Sequence, residues 1–224
     1  MRTSRMTVMR VAAAATALLA CGSVAAANPK IEQNPEKNLY FGETHMHTAY
    51  SLDAFLGGTR QTPGDAYRFA RGETVVVNGQ PHKMRRPLDF AAVTDHAEYL
   101  GVPRSRENGT PKEAGYREAI QSGNPFTITL HFFRSTMSNL GDWGEPDPLV
   151  SKSAWDDIVE TAERHDQPGR FTTFAAYEWT SMPDADNLHR NVVYRSNRVP
   201  DYPFTAMDSE NPEDLWRALE EQRD

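Results

Sequence analysis

The chain carries a single cysteine, Cys21, in 224 residues, so no disulfide framework can form within it. Basic charge is also short: 24 Lys and Arg stand against 31 Asp and Glu, a net charge of −7. That balance excludes a dedicated nucleic-acid binder, because phosphate contacts need a basic face. No apolar run is long enough to cross a bilayer. The longest, Val11–Ala20, is broken only by Thr16 and falls well short of the roughly 20 residues a spanning helix needs. There is no Gly-rich phosphate loop, no Gly-x-Ser-x-Gly elbow and no internal repeat. What remains is ordinary for a globular chain of one domain or two small ones, with 38% hydrophobic and 25% charged residues.

The first 27 residues read as an export signal. Arg2, Arg5 and Arg10 make a positive start, Val11–Ala20 an apolar segment, and Ala25-Ala26-Ala27 a small-x-small cleavage site. The competing reading is lipid attachment at Cys21, which Leu19 fits poorly. Removing these residues takes away three arginines and no acid, leaving 21 basic against 31 acidic residues and no cysteine. Such a chain suits an oxidising compartment, periplasmic or secreted, and any metal would have to be held by His, Asp and Glu. Residues 28–36 are a polar linker with two prolines.

From there the pattern alternates. Asn38–Thr48 reads as a first strand and Ala49–Gly58 as a loop. A helix is predicted over Asp65–Arg71, with Pro63 in its first turn and Gly72 after its last. Val75–Val77 before Asn78-Gly79 predicts a hairpin within Thr74–Lys83. Leu88–Thr94, nearly all small or apolar, reads as a strand buried on both faces. Pro103–Pro111 follows as loop and Glu113–Gln121 as helix, and periodicity leaves Phe126–Phe133 open between strand and helix. Asn139–Pro148 is loop, and Ser153–His165 a helix capped by Ser153. Phe171–Trp179 and Asn191–Arg195 are strands, and Pro212–Arg223 is a helix capped by Asn211, with a stripe of Leu215, Trp216 and Leu219. This order predicts an α/β fold with a mainly parallel sheet.

Three strand ends carry candidate metal ligands. His45 and His47 stand at i and i+2, so on a strand they share a face. Asp53 lies within reach across a short loop. Thr94-Asp95-His96 sits where the second core strand emerges, the end at which α/β sites gather. Asp95 reads as a partner that orients a neighbouring histidine, as a group acting directly on a metal, or as the cap of a turn through Glu98. Glu178 closes a mostly apolar run, where a charge is costly unless paired or metal-bound, and His189 follows eleven residues later. The bland alternatives are an exposed histidine pair and a Glu178–Arg190 ion pair. Arg60, Arg68 and Arg71 flank the first site and could meet an anion, although Arg68 suits a solvated helix face. His82, His131 and His165 are given no chemistry, His165 being accounted for by the helix dipole.

These stretches, Gly42–Ser51, Val93–Gly101 and Tyr177-Glu178 followed by His189, resemble the polymerase-and-histidinol-phosphatase (PHP) superfamily. More narrowly, Tyr-Phe-Gly-Glu-Thr-His-Met-His-Thr at 40–48, Tyr67–Gly72 and Arg86–Phe90 resemble secreted members filed as domain-of-unknown-function family 3604. The resemblance implies a distorted seven-stranded β/α barrel, of which 37–224 would be the N-terminal part. It implies two or three divalent ions (Zn, Mn or Fe). His45 and His47 would hold the first, Glu178 would bridge to a second at His189, and Asp53 and His96 would hold a third. The later motifs of the superfamily, a further histidine and an Asp-x-His pair, have no counterpart here. The implied function is a metal-dependent hydrolase of a small anionic phosphoester, with Asp95 and Arg60 assisting and no role for nucleic acid or membrane insertion. An amidohydrolase would need a lysine ligand that is not well placed here. The non-catalytic alternative is an exported metal- or carbohydrate-binding module.

Overall fold

The computed structural model describes residues 37–105, 107, 118–119, 121–137 and 147–223. The signal, the linker at 28–36, most of the helix expected over Glu113–Gln121 and most of the loop Asn139–Pro148 lie outside the described residues. Among those described, no helix is long and apolar enough to cross a membrane.

The small apolar run after Pro87 becomes the central strand. Ala91, Ala92 and Val93 are fully buried in β4 (Phe90–Val93), as a strand covered on both faces requires. β1 (Gly42–Met46) and β5 (Thr172–Phe174) flank it, both parallel, in the order β1-β4-β5. Gly42 lies against the Phe90 ring, where a Cβ would come within 2.3 Å of the ring carbons. Parallel neighbours need long crossovers. The first contains α1 (Leu52–Leu56), α2 (Pro63–Ala70) and the hairpin β2 (Val75–Val77) and β3 (Gln80–His82). The second contains α3 (Val102–Ser105), α4 (Pro125–Met137) and α5 (Pro148–His165).

Local chemistry sets the boundaries. Thr62 and Asp65 form a capping box at the start of α2, with Pro63 in the first turn. Asn78 and Gly79 both adopt positive φ, 50° and 75°, which the tight hairpin turn demands. α5 begins earlier than the expected Ser153, because the Asp147 carboxylate accepts from the Leu149 and Val150 amides and Pro148 needs no amide partner. The open segment Phe126–Phe133 is helical, inside α4, and the Asn124 side chain accepts from the Phe126 amide at its start. Short helices also occupy parts of two expected loops, α1 in Ala49–Gly58 and α3 at the start of Pro103–Pro111.

The strand expected over Phe171–Trp179 is split at Ala175 into β5 and β6 (Ala176–Ser181). β6 continues alongside the segment after β4 through a parallel bridge of His96 with Glu178. The expected fourth strand is β7 (Leu188–Val193), and it pairs antiparallel with β6. Its connection, Met182–Asn187, is a hairpin loop too short for a parallel crossover. The fold is therefore mixed α/β with a small parallel sheet, and the expected parallel character stops at β5.

One core cluster joins Leu100, Trp155, Ile158, Tyr177, Trp179 and Leu215, and another joins Tyr67, Ala70, Ala91, Val93, Ala162 and Phe171. In α6 (Pro212–Glu221), capped by Asn211 as expected, Leu215 is buried and Leu219 packs on the first cluster. Trp216 instead faces solvent at 56% exposure, so the expected three-residue stripe narrows to two.

Candidate metal centre

The ends of β1 and β4 and the β6–β7 hairpin deliver their polar side chains to one place. Period-two geometry puts the His45 and His47 rings on one side of β1, with centroids 5.1 Å apart. His96 follows at 4.7 Å from His47, and His189 at 5.5 Å from His96. Glu178 sits among all four. Its Oε2 lies 2.7 Å from His47 Nε2, 3.4 Å from His45 Nε2 and 3.6 Å from His96 Nδ1, and its Oε1 lies 2.8 Å from His189 Nδ1. Asp53, on α1, reaches His47 Nδ1 at 3.0 Å and His96 Nε2 at 3.6 Å. Arg190, the sequence alternative for pairing Glu178, instead donates to the His189 carbonyl.

The donors fit a cation. The Glu178 side chain is 1% exposed, and both its oxygens, together with His47 Nε2, are buried without a properly formed hydrogen bond. A buried carboxylate left in that state is expensive in a purely protein environment. Three overlapping sets place ligand atoms within 4.8 Å of one another: His45, His47 and Glu178; His47, Asp53 and His96; His96, Glu178 and His189. Each set is able to hold a metal ion.

Electrostatics already bias the cluster. Burial opposes a charged His47, but the hydrogen bond to Asp53 and the negative charges of Asp53 and Glu178 outweigh it and push its pKa up to about 10. Burial likewise opposes the Asp53 and Glu178 carboxylates, yet the surrounding imidazoles hold both below their ordinary values. Both carboxylates are therefore ready as anionic ligands near neutral pH.

Two hydroxyls that sequence reasoning missed orient the rings. Thr180 Oγ1 lies 2.8 Å from His96 Nδ1 and 3.0 Å from His189 Nδ1, and Ser51 Oγ donates to Asp53 Oδ1 at 2.6 Å while standing 3.3 Å from His47 Nδ1. Neither carries a sequence signal; the Thr180–His96 contact spans 84 residues.

Asp95 and Arg60 stand apart from the three sets. Asp95 is fully buried and takes the backbone amide and the hydroxyl of Thr48, tying the end of β1 to the end of β4. Burial lifts its pKa to about 6 against the pull of those bonds. It does not cap a turn for Glu98, whose own carboxylate accepts from the Thr180 and Ala206 amides. Arg60 pairs with Glu107 at 3.2 Å, donates to the Phe55 and Thr59 carbonyls and lies over the Phe55 ring. Arg68 pairs with Asp65 and Arg71 with Glu73. His82 lies exposed in β3. His165, in the last turn of α5, packs 5.6 Å from the Tyr67 ring, where burial and then Arg71 and Arg164 lower its basicity.

No curated protein and no solved structure shows significant similarity to the chain. A family of proteins of unknown function, DUF3604, matches it over residues 34–224. That span exceeds half of the chain, which therefore belongs to the DUF3604 family.

Proposed function

We propose that this protein is an exported metal-dependent hydrolase of PHP type, acting on phosphoesters. The observation that carries the reading is Glu178, a buried carboxylate without a hydrogen bond at the meeting point of four imidazoles. The parallel order β1-β4-β5, with candidate ligands at or just beyond the C-terminal ends of β1 and β4, is also what the first part of a β/α barrel would provide.

The overlap of the sets argues for two ions rather than three. His47 belongs to two sets and so does His96, and a neutral imidazole serves one cation at a time. Choosing the Asp53 set would strip both others. The remaining pair share only Glu178, whose carboxylate would serve both ions. Asp53 then acts as the carboxylate that accepts from His47 Nδ1–H and fixes its tautomer. Divalent ions held there, Zn, Mn or Fe, would make water a nucleophile near neutral pH and neutralise charge on the phosphoryl group. The chain's own residues orient that chemistry: Asp53 and Thr180 hold the rings, and Asp95, through Thr48, fixes the backbone next to His47. Hydrolysis forms a P–O bond from the water oxygen and breaks the bond to the leaving alcohol, which takes up the proton. Arg60 is committed to Glu107 and two carbonyls, so anion recognition would fall to bound cations.

The test is alcohol release from phosphomonoesters and phosphodiesters by the purified chain with added Mn²⁺ or Zn²⁺. The reading expects turnover that chelation and His47→Ala both abolish. Bound metal with no turnover of any phosphoester would instead support the exported binding module.

A further inference from the structure

A cavity of about 390 Å³ opens beside the centre, in the size range of small-ligand sites. Asp53, His96 and His189 form its metal-side wall. Facing them are Leu52, Tyr99, Met182 and Met207, with Met182 and Met207 about half exposed. The only charged side chains lining it, apart from those metal-side groups, are Glu98 and Glu210, and no lysine or arginine among the described residues does so. Its floor is fixed, because Glu98 accepts from the Thr180 amide at 3.2 Å and the Ala206 amide at 2.8 Å and so ties β6 to the loop carrying Met207. Tyr99 occupies this wall with φ of 57°, the left-handed region that a bulky residue enters only when its surroundings enforce it. Such strain collects at ligand-binding positions.

A wall of this kind repels a second negative charge and rewards burial of an apolar group. Resting on the phosphoesterase reading, we infer that the cavity receives an uncharged apolar substituent of the substrate, so that the protein prefers phosphodiesters bearing an aryl or alkyl group over phosphomonoesters. Tyr99 and Met207 are its specificity determinants. The phosphoryl group faces the metal side, one ester group enters the cavity, and the other departs as the alcohol. A phosphomonoester leaves the cavity to water or places a second anionic oxygen near Glu98 and Glu210.

Two readouts separate this inference from the reading beneath it. The first is calorimetric binding of diphenyl phosphate and of phenyl phosphate to the metal-loaded chain. The second is kcat/KM for bis(4-nitrophenyl) phosphate against 4-nitrophenyl phosphate. The diester is expected to win in both by about tenfold or more, the worth of burying one ring. Tyr99→Gly suits the positive φ, so it should keep the fold while losing most of that preference. Met207→Lys should reverse the preference toward the monoester with metal content unchanged. Equal binding of the two phosphates, or a preference untouched by both variants, overturns the cavity assignment even if phosphoesters are turned over. Tighter binding of the diester without turnover would keep the cavity and remove the phosphoesterase reading.

Discussion

β1 and β6 both supply side chains to the candidate metal centre, but under opposite conditions. β1 is exposed from Gly42 to His45 and only partly buried at Met46, whereas β6 is buried at every position but Thr180. The His45 side chain is accordingly 56% exposed and that of Glu178 1%. An exposed ligand can be lost with the fold intact. A buried one is also part of a buried strand: Tyr177 and Trp179, its neighbours along β6, are fully buried in the core on the opposite face. The same chemistry therefore carries a structural burden on β6 that it does not carry on β1.

The largest expected effect follows from that burden. Glu178→Gln removes the shared ligand of two sets and leaves the raised His47 without its closest partner. It should abolish metal binding and also cost about 3 kcal/mol in the metal-free chain, read by urea unfolding. Loss of metal with unchanged stability would mean that the buried strand carries no burden and would break the comparison.

The second prediction is a pH dependence. The His47 pKa is raised in the fold, to about 10 from an ordinary 6.5, so its contribution is fully present below 6.5 and is lost as pH rises through 10. The metal-free chain should lose stability over that window, and His47→Ala should flatten the slope. A bound cation needs the imidazole neutral, so metal affinity should move the other way, rising with pH.

His45→Ala tests the exposed strand. Metal content should fall while the unfolding midpoint of the metal-free chain stays put, within about 0.5 kcal/mol. The smallest effect is expected of Arg60→Ala, which breaks a partly buried pair with Glu107 and should cost about 1 kcal/mol or less without changing metal content. A metal-dependent rise in KM for that variant would return Arg60 to the site.

How far this was legible in the sequence tracks the range of the interactions involved. His45 and His47 are readable because strand period two is a local rule, and Glu178 because a charge on an apolar strand must be paired somewhere. The capping box of α2 and the Asn78-Gly79 turn are equally local. What the sequence hides depends on distant partners. Thr180 looks like any strand threonine until β7 brings His189 beside it. Asp95 reads as a site residue because it stands where a buried strand emerges, but its partner Thr48, 47 residues away, is not legible in the sequence. The antiparallel turn of β7 falls where two strands follow each other without a helix between them, and the short connection after Ser181 argues against a crossover.

The central claim is a dinuclear centre bridged by Glu178, and metal stoichiometry tests it most directly. The purified chain is saturated with Mn²⁺ or Zn²⁺, freed of excess and counted by elemental analysis, beside Asp53→Asn and Glu178→Gln. The account predicts two ions per chain, two again with weakened affinity in Asp53→Asn, and none retained in Glu178→Gln. Three ions in the wild type with one lost in Asp53→Asn, or undiminished metal in Glu178→Gln, would contradict it.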